Sequence, residues 1–91
     1  MRLDVKAMER QERELGRKKL MLRFPELRDG LKTATGSEIE ELFSAYQLAL
    51  TVHDRVVKAI EAPDEWLAGY AKIYLDVEDA VRAYFDRLGQ P

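Results

Sequence analysis

Between Ile39 and Ile60 the chain holds one period throughout. Ile39, Tyr46, His53 and Ile60 recur every seven residues, and Leu42, Ala49 and Val56 follow three residues after the first three of them. Phe43, Leu50 and Val57 widen this apolar stripe on one side, and Ala45, Val52 and Ala59 widen it on the other. Charged and amide residues take the opposite face. A stripe of this width at a period near 3.6 predicts a helix with a broad buried face, not a strand. Ser37 and Glu40 have the Ser-x-x-Glu spacing of a capping box and set the start of the helix near residue 38.

A second pattern of the same kind follows Pro63. Trp66, Tyr70, Ile73, Val77, Ala80 and Tyr84 form its stripe, flanked by Leu67, Tyr74, Val81 and Leu88. Proline is tolerated in a first helical turn, and Asp64 and Glu65 suit the positive end of the helix dipole. Gly89 stands where a left-handed terminating residue belongs. The two patterns predict an antiparallel helical hairpin over about 38–62 and 63–88, folded at Ala62-Pro63-Asp64.

The upstream segment is more polar. Residues 3–24 read as an N-terminal helix in which Met8, Leu15 and Leu22 recur at seven, with Glu12 and Lys19 interrupting. Glu9–Arg13 and Glu14–Lys18 are i,i+4 pairs in the favourable order. Gly16 weakens a mid-helix position by about 1 kcal/mol relative to Ala. Leu20, Met21, Leu22 and Phe24 concentrate apolar surface at the C-terminal end, which is therefore the end expected to dock. Pro25 disfavours helical geometry at Phe24 and places a break there. Pro25 to Lys32 has room for two further turns, with Phe24, Leu27 and Leu31 on one side. The pattern as a whole predicts an all-α protein, a single helical domain over 1–91. The basic arm (1–32) and the hairpin (37–89) would complete either a three-helix bundle or, by self-association, a dimeric four-helix bundle.

Two wide stripes facing only each other leave part of their width in water, and a chain of 91 residues buries a modest fraction of its surface. Some additional cover is required, and a two-fold homodimer is the commonest closed way to supply it. Leu48, Ala71, Leu75 and Phe85 lie off the main stripes and are the candidate interaction surface.

Charge adds an asymmetry that the net value of −2 hides. Residues 1–32 carry ten Lys/Arg and six Asp/Glu, and residues 33–91 carry five and eleven. A basic arm is joined to an acidic hairpin. Arg10, Arg13, Arg17, Lys18 and Arg23 form the candidate basic docking face. They could meet phosphates along a helix, but Glu9, Glu12 and Glu14 are interleaved, and neither an aromatic stacking platform nor a zinc module accompanies them. Nucleic acid is therefore the alternative partner, and an acidic protein surface, including a second copy's hairpin, is the favoured one.

Catalytic chemistry is sparse. His53 is the sole histidine, in the centre of the stripe and opposite Ile73 and Tyr74. A packed histidine hydrogen-bonded to a tyrosine is preferred over an acid/base group, because no Ser or Cys nucleophile falls beside it. Glu38/Glu41 and Asp76/Asp79 are i,i+3 acidic pairs that could share a divalent ion if they met. Reflection about Pro63 separates them by roughly 13 Å or more along the hairpin. Asp86 and Arg87 fall opposite Glu38 and Glu41, where surface ion pairs are the simpler outcome. No cofactor or metal is implied, and a non-enzymatic role is expected. There is no cysteine, no run of about 18 apolar residues and no apolar leader after Met1, so a cytoplasmic location without a membrane span is the default expectation. In size and in having a tryptophan at the bend, the hairpin resembles the small secreted hairpins with a Trp-x-Gly turn. Trp66-Leu67-Ala68-Gly69 is Trp-x-x-Gly, and membership is not inferred.

Overall fold

The computed structural model describes residues 5–59 and 63–89. Among them the chain is helical throughout its regular structure: α1 (Val5–Arg23), a 3₁₀ turn (Pro25–Leu27), α2 (Arg28–Thr33), α3 (Ser37–Ala59) and α4 (Asp64–Arg87). No strand occurs among the described residues. The bend at Ala62 lies outside the described residues.

Each boundary has a local cause. Phe24 leaves helical geometry (φ −124°, ψ 76°) ahead of Pro25, while its N–H still bonds to the Leu20 carbonyl at 2.8 Å. The break thus ends α1 without orphaning that amide. Helix α3 begins one residue earlier than the capping box implied. The Gly36 carbonyl accepts from the Glu40 N–H at 3.0 Å, so Gly36 holds the cap position and Ser37 is the first helical residue. Gly36 has φ 117°, a conformation open to glycine, and that shifts the start. Pro63 precedes α4 as its cap and does not enter the first turn; its carbonyl accepts from the Trp66 N–H at 2.9 Å. At the other end Gly89 has φ 70° and its N–H bonds to the Asp86 carbonyl at 3.1 Å, the left-handed stop read from the sequence.

Helix α3 is the central element, with its main interfaces to α1 on one side and α4 on another. The molecule measures 43 × 40 × 18 Å, and the short dimension is less than two full helix diameters. Leu20 from the end of α1, Phe24 from the break that follows it, Leu31 from α2, Ile39, Phe43 and Tyr46 from α3, and Val81 and Phe85 from α4 make one buried cluster. All of these except Tyr46 lie at the end of α3 and α4 remote from the bend or on the segment packed over it. The docked part of α1 is its C-terminal half, as its apolar density implied. Met8 and Leu15 are about half exposed.

Gly16 is what lets α1 reach α3. A Cβ built there would overlap the Phe43 carbonyl oxygen. The position read from sequence as a weak spot is the point of closest approach between two helix backbones. Gly30 has a similar reason, since a Cβ there would lie 2.8 Å from the Phe85 ring.

Candidate functional site

On α4 the core-facing row is half-buried Tyr74 and buried Glu78, Val81 and Phe85, with i, i+4, i+7, i+11 spacing that keeps all four on one side of the helix. Among the described residues Glu78 is the one charged residue in the core, 5 % exposed. The Tyr46 hydroxyl donates to Glu78 Oε2 at 2.8 Å, and Arg23 Nε lies 3.2 Å from Glu78 Oε1. Burial, then the hydrogen bond and negative charge of Glu78, push the Tyr46 phenol well above its ordinary value. Three helices therefore meet at one carboxylate: α1 through Arg23, α3 through Tyr46, α4 through Glu78. Beside it the Arg82 and Arg23 guanidinium groups lie 4.5 Å and 5.1 Å from the centroid of the Phe24 ring. The groups of this knot satisfy one another.

The basic face does not survive as a unit. Arg17 turns inward, with Nη1 within 2.8, 3.0 and 3.1 Å of the Leu31, Lys32 and Ala34 carbonyls, and its guanidinium lies over the Phe43 ring. It closes the C-terminal end of α2. Its Nε faces Glu14 at 3.4 Å, an i,i+3 pairing in place of the Glu14–Lys18 pair expected. Arg23 is committed to Glu78. Arg13 lines a cleft between α1 and α3 whose other walls include Glu9, Glu12, Glu40 and Glu41. Arg10 and Lys18 are exposed.

The apolar surface is also rearranged. Phe85, expected on the outside, is 3 % exposed and belongs to the core, because α2 packs against α4 at Gly30 and covers it. Ala71 is half-buried. Leu48 and Leu75 are exposed but turn to different sides. Leu48 lies two residues from both Tyr46 and Leu50, about 200° around α3 from the core. Leu75 lies three residues before Glu78, within about 60° of it. Their expected pairing as one patch is not formed.

His53 is half-buried, and its ring meets Tyr74 edge-on at 5.4 Å with an interplanar angle of 81°. This is a packing contact with the neighbour expected from the sequence. The acidic pairs stay apart in role: Glu38 forms an ion pair with Arg87, and Asp76 accepts from Lys72 at 2.9 Å. Among the described residues, no group of three or more His, Asp or Glu is arranged to hold a metal ion. No described helix is long and apolar enough to cross a membrane.

What the site reading from sequence missed is a groove on α4, lined by Glu65, Trp66, Gly69, Tyr70 and Ile73. Trp66 is 57 % and Ile73 52 % exposed, although both stand in the main apolar stripe. The reason is that α1 and α2 approach from the other side and draw the core onto Tyr74 and Val81, on the flank of that stripe, and onto Phe85, which lies off it. Stripe width was the available signal; which edge would remain uncovered depended on where α1 lay. No protein-family model matches the chain, and neither a curated protein nor a solved structure is significantly similar to it.

Proposed function

We propose that this is a non-enzymatic helical protein that self-associates and acts through protein–protein contact, with the Trp66–Ile73 side of α4 as its association surface. One observation carries the reading: two large side chains of the principal apolar stripe, Trp66 and Ile73, are more than half exposed on one side of one helix. An apolar row left in water beside a packed core is the usual mark of an interaction site. The assembly joins chains that are each already packed as α1, α3 and α4, in place of a bundle of two bare hairpins.

Trp66 is the sole tryptophan, so its emission reports on this surface alone. Sedimentation of the full chain from low to high micromolar concentration should pass from monomer to dimer, with a blue shift of Trp66 emission over the same range. A monomer whose emission stays constant throughout would end this reading. The alternative, a nucleic-acid-associated regulator using the basic helix, has lost Arg17 and Arg23 to internal contacts. An absence of mobility shift at low salt with single- and double-stranded DNA and RNA would remove it.

A further inference from the structure

Three glycines lie inside helices, at positions 16, 30 and 69. At Gly16 and Gly30 another element presses so closely that a Cβ would collide with it. Gly69 sits in α4 with nothing within 4 Å of a Cβ built on it. A mid-helix glycine weakens a helix relative to alanine, and within one chain this one gains nothing in return. It is bordered by exposed Trp66 and Ile73, with half-buried Tyr70 beside it, so α4 presents a notch between two large side chains.

A row suited to that notch exists on the same chain. Met8, Leu15 and Leu22 are 53 %, 45 % and 79 % exposed, and they lie on the side of α1 away from Gly16 and Leu20, which pack inward. Their spacing of seven matches that of Trp66, Ile73 and Ala80, and paired seven-residue rows are the geometry of one helix seated along another. Charge points the same way. Leaving aside Arg17, Arg23 and Glu78, which are engaged within the chain, α1 carries five Lys/Arg against three Glu, while residues 64–79 carry four Asp/Glu against one Lys. Lys18 and Lys19 follow Leu15 by three and four residues and share its side of α1. Glu65 and Asp76 flank Trp66 and Ile73. Asp76 already pairs with Lys72, but that pair is exposed and weakly held. Within one chain α1 lies against α3, so its outer row faces away from the α4 of the same chain.

We infer that the occupant of the groove is a second copy of this chain: the Met8–Leu15–Leu22 row of one chain seats against Trp66, Gly69 and Ile73 of the other. This rests on the self-association proposed above and specifies which surfaces meet. The chain has no cysteine, so introduced ones are unique. Leu15→Cys and Ile73→Cys variants, distinguishable by a tag and checked for helicity by circular dichroism, are treated with a short bis-maleimide, each variant alone and, in a parallel reaction, the two mixed beforehand with their thiols free. A second mixture, Leu22→Cys with Trp66→Cys, guards against one variant failing to fold. A cross-link in either mixture but in none of the four variants alone supports the pairing. Gly69→Arg should raise the dimer dissociation constant about tenfold or more without lowering helicity, and 1 M salt should weaken the dimer relative to 0.1 M. A dimer that cross-links through Ile73→Cys alone, or in neither mixture, overturns the inference while leaving self-association standing. A monomer at every concentration overturns both.

Discussion

Replacing Gly16 with alanine separates two accounts of this residue by the sign of the effect. As a helix position and nothing more, Gly16→Ala should stabilise the protein by about 1 kcal/mol, the propensity difference between the two residues. As a crossing point, it should destabilise. The added Cβ would overlap the Phe43 carbonyl oxygen, and a backbone atom cannot rotate aside. Restoring ordinary separation requires α1 to lift from α3 by roughly 1 Å or more. A gap of about 0.5–1 Å already forfeits a quarter to a half of the dispersion well at each contact. The contacts affected include those of Leu20 and Phe43, both fully buried, and the guanidinium of Arg17 over the Phe43 ring. Overpacking of this kind costs about 1–3 kcal/mol. After the propensity gain of about 1 kcal/mol is subtracted, a net loss of up to about 2 kcal/mol is expected, with the upper end favoured because the obstacle is main chain. For a domain of this size, a loss of about 2 kcal/mol is a fall in Tm of roughly 8–16 °C.

Thermal unfolding followed by circular dichroism at 222 nm, at one fixed protein concentration so that association does not move the midpoint, gives the answer. Gly30→Ala provides the graded comparison. Its Cβ would meet the Phe85 ring, a side chain that can tilt, so its loss should be smaller. A midpoint for Gly16→Ala equal to or above that of the parent would refute the close approach of α1 to α3 and, with it, the placement of α1.

Two further outcomes follow from the buried polar groups. Arg17→Lys should lower stability by about 1–3 kcal/mol in urea unfolding, since one ammonium on a shorter reach cannot hold the carbonyls of Leu31, Lys32 and Ala34 together; an unchanged midpoint would show that α2 does not depend on this cap. Tyr46 is raised above its ordinary value in the folded state by burial and by Glu78. The folded form therefore holds the phenolic proton more tightly, and this contribution is complete below the unfolded tyrosine value of about 10 and is lost as pH rises above it. Above about pH 10 the parent should lose stability more steeply than Tyr46→Phe, which at neutral pH should be weaker by about 1–3 kcal/mol through loss of a hydrogen bond to a charged group; parallel pH profiles above that value would sink the assignment.

The parts of the fold that were legible in the sequence are those fixed by neighbours in the chain. The break at Phe24-Pro25, the left-handed stop at Gly89 and the helical period of α3 and α4 each depend on a few adjacent residues. The Gly36 cap shows the limit of such reading: Ser37 and Glu40 had the right spacing, but a glycine able to adopt φ 117° moved the start by one residue. Features that depend on contacts distant in sequence were not legible. Gly16 looked like a defect because Phe43, the group it approaches, is far along the chain. Glu78 carried a detectable signal, a charge inside the row Tyr74-Glu78-Val81-Phe85, but only the arrival of Arg23 and Tyr46 explains it. Phe85 looked exterior because α2 had not been placed over it. The groove at Gly69 could not be anticipated until α1 had chosen which edge of the α4 stripe to cover.

That choice also separates folding from association. The residues that hold the core, among them Leu20, Phe43, Val81 and Phe85, are almost fully buried. The residues proposed to meet a second copy, Leu15, Leu22, Trp66 and Ile73, are 45–79 % exposed and outside that cluster. Substitutions at distant sites with no shared partners act nearly additively. Variants of the outer rows should therefore change the dimer constant while leaving the monomer's melting behaviour close to the parent's, whereas Gly16→Ala should lower the melting midpoint even at concentrations where only monomer is present. A protein in which both kinds of variant moved both quantities together would be one whose chain folds only as it associates, and the monomeric core around Phe43 would then not be an independent unit.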